Sequence, residues 1–407
     1  MTGRRVLFLG LGHLSNGDIS IAADFARQLP PDEFEVGFVT SAAVAGYVRG
    51  LGLKTYPLES EDPRRNLEAF DRLVAEFRPG LLVAADAFTL DYSTAWSGLS
   101  MSLLRERYDI ALASFDQYDY PAADYVVDFY GGHRTRFPRL LDSCDLLIRN
   151  SPLNRPVPGD RRVAVTRMVC GGPATRPVSR HPTRVPTVFL TNSRWEYVNV
   201  VRSPVMTQLM RSMPRLIHSH LAALDRPLRV VHVGPTAWDF SPAPAIDYQY
   251  VPHLAPEDFH VQLAAADLYL TGNAVSVTLT QAVLAGVPSL LLDNRKVLDV
   301  GRLVRAGSAP GWLTEAAPGL EVAYPYRVFP WGWHDFLTPV LTDNPYTDCF
   351  LTAGVFERRK VLRAMSTLLD DAATRAQLAD RQADLVHRLD QLPSAGEALS
   401  GAELPGW

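Results

Sequence analysis

The chain has 407 residues, about twice the usual domain length, so two domains are expected. Its net charge of -4, without a Lys/Arg-rich run, argues against nucleic acid or an anionic membrane surface as a partner. The three cysteines have no CxxC spacing, which argues against a disulfide framework or structural zinc, and no stretch approaches the roughly 20 apolar residues of a membrane span. We expect a cytoplasmic globular protein.

The first half of the chain alternates short apolar strands with helices. A strand at Val6–Gly10 precedes a helix whose apolar face runs from Ile21 to Leu29. The polar, glycine-bearing loop Leu11–Asp18 lies between them, at the carboxyl end of a strand, where ligands of open α/β sheets bind. Further strands are predicted at 35–40, 53–58, 80–85, 111–116 and 144–148, with helices at 43–50 and 64–77.

The segment from Asn150 to Thr187 is rich in proline and arginine and predicts an irregular connector. A second alternating half follows, with a strand at 187–193, a helix at 204–224 and a strand at 228–234. Two α/β halves joined by a linker place a ligand site between facing strand ends. The predicted fold class is α/β, with two Rossmann-like domains facing across a cleft.

The stretch Thr271–Pro288 is the strongest local indication of a ligand site. A buried strand leads into the polar turn Asn273–Thr278, then into a helix, and a strand at 289–292 completes the unit. A helix start leaves backbone N–H groups unpaired and carries partial positive charge, so this turn is a candidate anion seat. The alternative is an ordinary helix capped by Ser276.

The last third contains an aromatic, proline-punctuated run at 322–336 that cannot be one regular helix. It is expected to be either a packed surface excursion or a substrate-facing wall, with His334 as a candidate contact. Amphipathic helices at 358–369 and 372–392 follow, and the Gly/Pro tail is expected to be mobile.

Taken in this order, the residues resemble the GT-B glycosyltransferases, and among them the bacterial natural-product glycosyltransferases. Four stretches carry the resemblance: Val6–Gly10 with Gly12–His13 and Ile21–Ala23; Phe38–Ser41 with Val48–Leu53; Ala266–Leu268 with Gly286–Pro288; and Leu368–Asp371 with Arg375 and Leu378. The resemblance implies an acceptor domain at 1–175, a nucleotide-donor domain at 184–385 with an aromatic insertion near 322–350, and a C-terminal helix and tail at 386–407.

The activity that this resemblance implies is an inverting, metal-independent transfer. A sugar, or a related activated group, would move from a nucleoside-diphosphate donor to a small-molecule acceptor in secondary metabolism. The nucleotide sugar is a co-substrate, and no other cofactor is expected. A homodimer stays open, and neither nucleic acid nor a membrane is an expected partner. Two alternatives keep the architecture: a nucleotide-sugar epimerase or hydrolase, and a non-catalytic auxiliary protein.

The resemblance also implies roles for single residues. His13 is the implied general base, because imidazole titrates near neutral pH, and an aspartate from a later strand end orients it. Asp116 is preferred over Asp86 for that role, because its neighbours are polar. The alternative for His13 is a capping or packing role in its own loop. The residues implied to hold the diphosphate are Ser276, Val277 and Thr278, and the remaining substrate contacts are assigned to Asn16, Asp86, Trp238, Asn273, Gln281, Arg295, Lys296 and His334.

The chain departs from the family pattern at three places. Asn273–Ala274–Val275 stands where the family has His-Gly-Gly, and Gln281 stands where the family has a ribose-binding glutamate, although its amide oxygen still accepts a hydrogen bond. Arg295–Lys296 replaces a sugar-binding Asp-Gln pair, which predicts either contact with an anionic donor group or solvated charges. Trp238 is expected either to border the nucleobase or to lie in the core.

Overall fold

The computed structural model describes residues 3–12, 16–117, 119, 126–129, 133–150, 152, 162–168, 185–194, 204–323, 338–405 and 407. The chain forms two compact units. Unit 1 comprises Met1–Cys170, Thr338–Thr342 and His387–Trp407, and unit 2 comprises Gly171–Leu337 and Asp343–Val386. The C-terminal residues, predicted as a separate tail, are thus assigned to the first unit.

Unit 1 is built on a seven-stranded sheet of order β3-β2-β1-β4-β5-β8-β9, in which every pairing is parallel. Its strands are β1 (Arg4–Gly10), β2 (Phe34–Ser41), β3 (Thr55–Leu58), β4 (Leu81–Ala84), β5 (Ala111–Phe115), β8 (Leu146–Arg149) and β9 (Val163–Val165), with β6 (Val126–Phe129) and β7 (His133–Arg136) as a separate antiparallel pair. The central strands read as continuous apolar runs because helices cover both faces, and Val6 to Phe8 in β1 are fully buried.

The helices of unit 1 connect these strands in the right order for a doubly wound sheet. They are α1 (Gly17–Ala26), α2 (Ala42–Gly50), α3 (Pro63–Phe77), α4 (Ala87–Tyr92), α5 (Thr94–Ser97), α6 (Met101–Arg107) and α7 (Phe137–Leu141).

Unit 2 has a six-stranded, fully parallel sheet of order β12-β11-β10-β13-β14-β17. Its strands are β10 (Thr187–Thr191), β11 (Leu228–Val233), β12 (Ile246–Val251), β13 (Leu268–Thr271), β14 (Ser289–Asp293) and β17 (Leu351–Gly354), with β15 (Leu298–Asp299) and β16 (Val322–Ala323) as a short antiparallel pair. Numbered within the unit, this is the 3-2-1-4-5-6 order of dinucleotide-binding folds.

The helices of unit 2 are α8 (Pro204–Ala222), α9 (Pro256–Ala264), α10 (Val277–Leu284), α11 (Val300–Arg305) and α12 (Gly311–Ala316), followed after α13 (Thr338–Leu341) of unit 1 by a 3₁₀ helix (Pro345–Cys349), α14 (Arg358–Asp370) and α15 (Ala372–Asp390). Their apolar faces form one core with the sheet, which includes Val188, Leu268, Leu290 and Val361. In the described ranges no helix is long and apolar enough to cross a membrane.

In each unit there is one point in the sheet at which successive strands stop being added on one side of the first strand and are added on its other side. Ligands of such sheets bind at the carboxyl ends of the two strands that flank this point. In unit 1 this point lies between β1 and β4, and in unit 2 between β10 and β13. The polar loops after these strands are therefore the places at which the site must be sought.

The predicted fold class of two Rossmann-like units is confirmed, and so is the strand-turn-helix-strand unit β13-α10-β14. Gly286, with φ +68°, adopts the left-handed conformation that terminates α10 before β14 begins.

The sequence predicted a Gly/Pro tail without regular structure after residue 392, and this prediction is wrong for part of the tail. It contains α16 (Ala395–Ser400), which begins with a capping box between Ser394 and Glu397, and Trp407 lies against Phe34 with ring centroids 6.2 Å apart. Of the predicted aromatic run at 322–336, residues 324–336 lie outside the described residues.

Candidate functional site

In unit 2, side-chain hydrogen bonds shape the turn between β13 and α10. The Asn273 backbone N–H donates to Thr271 Oγ1 over 3.1 Å, and the Val275 N–H donates to Asn273 Oδ1 over 3.0 Å. Asn273 thus makes an Asx turn, and its assignment as a substrate contact stays a prediction. The side-chain oxygen of Asn273, by accepting this hydrogen bond, stabilises the turn that leads into α10.

The start of α10 has the features of an anion seat. Ser276 is the N-cap residue in an extended conformation, with φ -62° and ψ 125°, but its side chain makes no capping hydrogen bond. The first-turn N–H groups, carried by Val277 and Thr278 among others, therefore lack the side-chain acceptor that usually caps a helix. Val277 and Thr278 are both half-buried, at the carboxyl edge of the sheet.

Hydroxyl groups from neighbouring elements gather beside this helix start. Tyr269 Oη lies 2.7 Å from Thr191 Oγ1 and 3.5 Å from Ser276 Oγ, which joins β10, β13 and the N-cap of α10. The sequence analysis missed Thr191 and Tyr269. These two residues are neighbours only because β10 pairs with β13, and the sequence does not show that pairing. Hydroxyls and backbone N–H groups at helix starts are the donors that bind oxygen-rich anions in proteins, so the predicted anion site stays a prediction for this turn.

Gln281 is buried on α10, and its Nε2 lies 3.2 Å from Nε2 of His260 on α9. The side-chain amide is therefore involved in helix packing. Its assigned contact with a ribose stays a prediction.

Trp238 belongs to an aromatic cluster beyond β11. Its ring stacks on Tyr248, with centroids 4.2 Å apart and planes 10° apart, and on Phe240, with centroids 5.2 Å apart. His232 hydrogen-bonds to Tyr248 Oη through Nδ1 (2.8 Å) and to Asn192 Oδ1 through Nε2 (2.7 Å). Burial lowers the pKa of His232 to about 4. These contacts favour the core interpretation of Trp238 over the nucleobase interpretation.

The two cations after β14 are exposed, and each has an acidic partner, Arg295 within the loop and Lys296 in the segment after β17. Arg295 Nε donates to Asp293 Oδ2 over 2.6 Å, and Lys296 Nζ lies 3.7 Å from Glu357. Their side chains are 62% and 83% exposed, respectively. Both positions are accessible to an anionic group, and their predicted role stays a prediction.

In unit 1, Asn16 is the N-cap residue of α1, and its side chain makes no capping bond. His13 and His334 lie outside the described residues, so their assigned roles stay predictions.

The two aspartates that were candidates to orient His13 have different environments. Asp86 caps α4, and its Oδ2 accepts hydrogen bonds from the backbone N–H and the hydroxyl of Thr89, each over 2.7 Å. Asp116, at the end of β5, is fully buried and accepts bonds from Arg149 Nε (2.9 Å) and Nη2 (2.8 Å). Arg149 Nη2 also pairs with Asp119 over 2.7 Å. The structure thus places Asp116 in an ion pair that compensates its buried charge.

A further carboxyl group lies at the same edge of the sheet. Asp18 accepts hydrogen bonds from Thr89 Oγ1 over 3.0 Å and from Gln117 Nε2 over 3.4 Å. Burial raises the pKa of this carboxyl above its ordinary value. Because the Thr89 hydroxyl has one proton and faces both Asp18 and Asp86, a proton on one of the two carboxyl groups completes both contacts.

The sequence analysis included Asp18 in the polar loop but did not single it out. Thr89 and Gln117 are 71 and 99 residues away from it, so its burial is visible only in the fold. Within the described ranges, no group of three His, Cys, Asp or Glu residues is placed to hold a metal ion.

The structure is similar to solved glycosyltransferase structures over nearly its whole length. The rhamnosyltransferase SpnG is 14% identical with a TM-score of 0.54, covering 98% of this chain and 99% of SpnG. The calicheamicin glycosyltransferase CalG4 is 17% identical with a TM-score of 0.52, covering 99% and 97%. A putative UDP-N-acetylglucosamine 2-epimerase from Listeria monocytogenes is 13% identical with a TM-score of 0.53, covering 98% and 94%. At these identities the similarity shows the fold.

The two parallel α/β units and these similarities define a protein of the GT-B fold, of the kind found in bacterial natural-product glycosyltransferases, and the resemblance predicted from the sequence is confirmed. A model described as "Family of unknown function (DUF6365)" matches residues 25–403, so the chain belongs to that family. No curated protein matches the sequence.

Proposed function

We propose that the protein transfers a sugar, or a related activated group, from a nucleoside-diphosphate donor to a small-molecule acceptor in secondary metabolism. The observation that carries this proposal is the start of α10, where the N-cap residue Ser276 makes no capping bond. The hydroxyl groups of Thr191 and Tyr269 lie beside it, between β10 and β13, where ligands of such sheets bind. SpnG has been solved with thymidine diphosphate, and a nucleoside diphosphate at this helix start is what we propose for the present chain.

The electrostatics of the helix start fit a metal-independent, inverting displacement. The diphosphate leaves with additional negative charge, and preorganised N–H groups with the helix dipole stabilise that charge as it develops. Ser276, Val277 and Thr278 supply these groups in the proposal. They take the role that a divalent cation has in other transferases.

Unit 1 is the proposed acceptor unit, and His13 is its proposed general base, with Asp116 as the residue that orients it. Arg149 pairs with Asp116, and in the proposal the Asp116 carboxylate stabilises an imidazolium while the acceptor loses its proton. SpnG has also been solved with the spinosyn aglycone, and an acceptor in this unit is proposed by analogy.

An epimerase is the second candidate, because an epimerase is among the similar structures. Incubation of the full chain with dTDP-sugars and UDP-sugars, with and without candidate acceptors, separates the two by mass spectrometry and NMR. Acceptor-dependent release of the nucleoside diphosphate with a new glycoside supports transfer. Epimerisation or hydrolysis without acceptor contradicts it, and a protein that binds nucleotide but turns over no donor has an auxiliary function.

A further inference from the structure

In unit 1, one hydroxyl group on α4 faces two carboxyl groups. Thr89 Oγ1 lies 3.0 Å from Asp18 Oδ2 and 2.7 Å from Asp86 Oδ2. Asp18 belongs to the first turn of α1, and Asp86 is the N-cap residue of α4. The hydroxyl has one hydrogen and can donate it to only one of the two carboxyl oxygens. If both carboxyl groups were ionised, the other contact would join two oxygen atoms with no hydrogen between them.

The hydrogen-bond distances indicate which of the two carboxyl groups is charged. Asp86 Oδ2 accepts bonds from the backbone N–H and from the hydroxyl of Thr89, each over 2.7 Å, and two short donated bonds favour a carboxylate. The contacts of Asp18 are longer, 3.0 Å to Thr89 and 3.4 Å to Gln117. A proton on Asp18 therefore completes the chain: Asp18 donates to Thr89, and Thr89 donates to Asp86.

The amide of Gln117 indicates which oxygen of Asp18 holds the proton. Gln117 Nε2 lies 3.4 Å from Asp18 Oδ1 and 3.4 Å from the carbonyl oxygen of Ala85, which can only accept. The amide nitrogen is accordingly the donor to both, since a flipped amide would place its oxygen against the Ala85 carbonyl. Oδ1 of Asp18 is thus an acceptor, and the proton belongs on Oδ2, which faces Thr89.

No positive charge compensates Asp18 in the part of the chain that the structure describes. The groups that face it are Thr89 and, through it, Asp86 on the side of α4, and Gln117 on the side of β5. Its own backbone N–H is a further neutral donor, and burial outweighs these donors and raises the pKa of this carboxyl. Ionisation of Asp18 would place a second negative charge beside Asp86.

We propose that Asp18 carries a proton at neutral pH and donates it to Thr89, and that loss of this proton at higher pH breaks the hydrogen bond between α1 and α4. These helices follow β1 and β4, the two strands that flank the ligand-binding point of this sheet. The charge state of Asp18 thereby controls the structure of this edge. Its relevance to an acceptor rests on the proposed function, whereas the proton rests only on the hydrogen bonds.

The test compares the unfolding equilibrium constants of the wild type and Asp18→Asn in urea between pH 5 and pH 7. Asparagine has the same shape, and its amide donates to Thr89 at every pH. A carboxyl group that is protonated in the folded chain and ionised in the unfolded chain stabilises the fold less as the pH rises. The constant of the wild type divided by that of Asp18→Asn should therefore rise about 10-fold per pH unit, or about 100-fold over this range. Titration of other groups cancels in this ratio.

Asp71→Asn is the matched control. The hydrogen bond from Arg107 lowers the pKa of Asp71, which lies on α3 in the same unit, so this carboxyl is ionised in both states over the whole range. Its ratio should not change with pH. A ratio for Asp18→Asn that is equally independent of pH overturns the proposal.

Two further measurements examine the proton and the helix contact directly. In NMR of the full chain with carbon-13 at the aspartate carboxyl groups, one carboxyl group should titrate above pH 7 and be absent from Asp18→Ala. If none does, the proposal is overturned even where Asp18→Asn fails to fold. Hydrogen exchange in α1 and α4 should be equal in the wild type and Asp18→Asn at pH 6 and faster in the wild type at pH 9. Equal exchange at both pH values contradicts the loss of the contact between the helices.

Titration with dTDP and UDP separates this proposal from the proposed function. A rising ratio without nucleotide binding keeps the protonated Asp18 and contradicts the transferase. Nucleotide binding and transfer with a constant ratio keep the transferase and contradict the protonated Asp18.

Discussion

Replacement of Arg149 by Met should strongly destabilise unit 1, because it removes the cation that compensates the buried carboxylate of Asp116. The side chains of Arg149 and Asp116 are 3% and 0% exposed, and the pair is closed by two short contacts of 2.9 and 2.8 Å. Removal of one partner from such a pair costs about 3–5 kcal/mol, because the remaining charge keeps its desolvation penalty.

Arg107→Met is the matched control in the same unit. Arg107 pairs with Asp71 over 2.6 Å, but the two side chains are 47% and 32% exposed, and Asp71 keeps a hydrogen bond from Tyr108 Oη. An exposed pair of this kind contributes little to stability, so Arg107→Met should cost much less than Arg149→Met. The two variants thus make the same chemical change and differ in burial.

Urea unfolding measures both losses, and hydrogen exchange at the amides of β5 assigns the transition to unit 1. The double variant Asp116→Leu with Arg149→Met should recover part of the loss, because it removes the Asp116 charge together with its partner, whereas Asp119 still lacks Arg149. Equal destabilisation by Arg149→Met and Arg107→Met would refute the reasoning, since burial would then have no effect on the cost.

Burial lowers the pKa values of His220 and His232 to about 4, so unit 2 should be acid-sensitive. The contribution of the two neutral imidazoles to the unfolding free energy is complete above pH 6.5 and is lost as the pH falls through 4, by up to about 3 kcal/mol for each group. An unfolding free energy of unit 2 that stays constant between pH 7 and 4.5 contradicts this. His13→Ala should lower turnover by roughly 10²- to 10⁴-fold with nucleotide affinity retained, and near wild-type turnover with the true acceptor would exclude His13 as the base. Arg295→Ala should weaken binding of a uronic-acid donor more than that of its neutral counterpart, and an equal loss for both argues against charge recognition.

Much of the fold could be predicted from the sequence because the spacing of apolar residues within one helix or strand is enough to identify that element. The unit β13-α10-β14 combines a four-residue buried strand, a helix and a five-residue buried strand, each with its own pattern. Strand β9 was not predicted, because it has three half-buried residues within a proline-rich segment. Helix α16 was also missed, although Ser394 and Glu397 show the spacing of a capping box.

The candidate site was less accessible to prediction, because its polar contacts join distant positions. The pairing of Asp116 with Arg149 spans 33 residues, and nothing around Asp116 in the sequence indicates that a cation compensates it. Likewise, Asn273 has the composition of a polar turn, but only the structure shows that its side chain caps the loop internally. Local patterns identify strand ends, whereas partners across the sheet depend on topology.

Titration calorimetry with dTDP and UDP tests the proposed nucleotide site most directly, with Thr278→Ala as the variant and Thr314→Ala, a half-buried threonine of α12 in the same unit, as its control. Wild type and Thr314→Ala should bind at least one of the two nucleotides equally. Thr278→Ala should lose about 1–3 kcal/mol of binding free energy, the range for a hydrogen bond to a charged group. No binding of either nucleotide to the wild type, or equal affinities for all three proteins, contradicts a diphosphate at the start of α10.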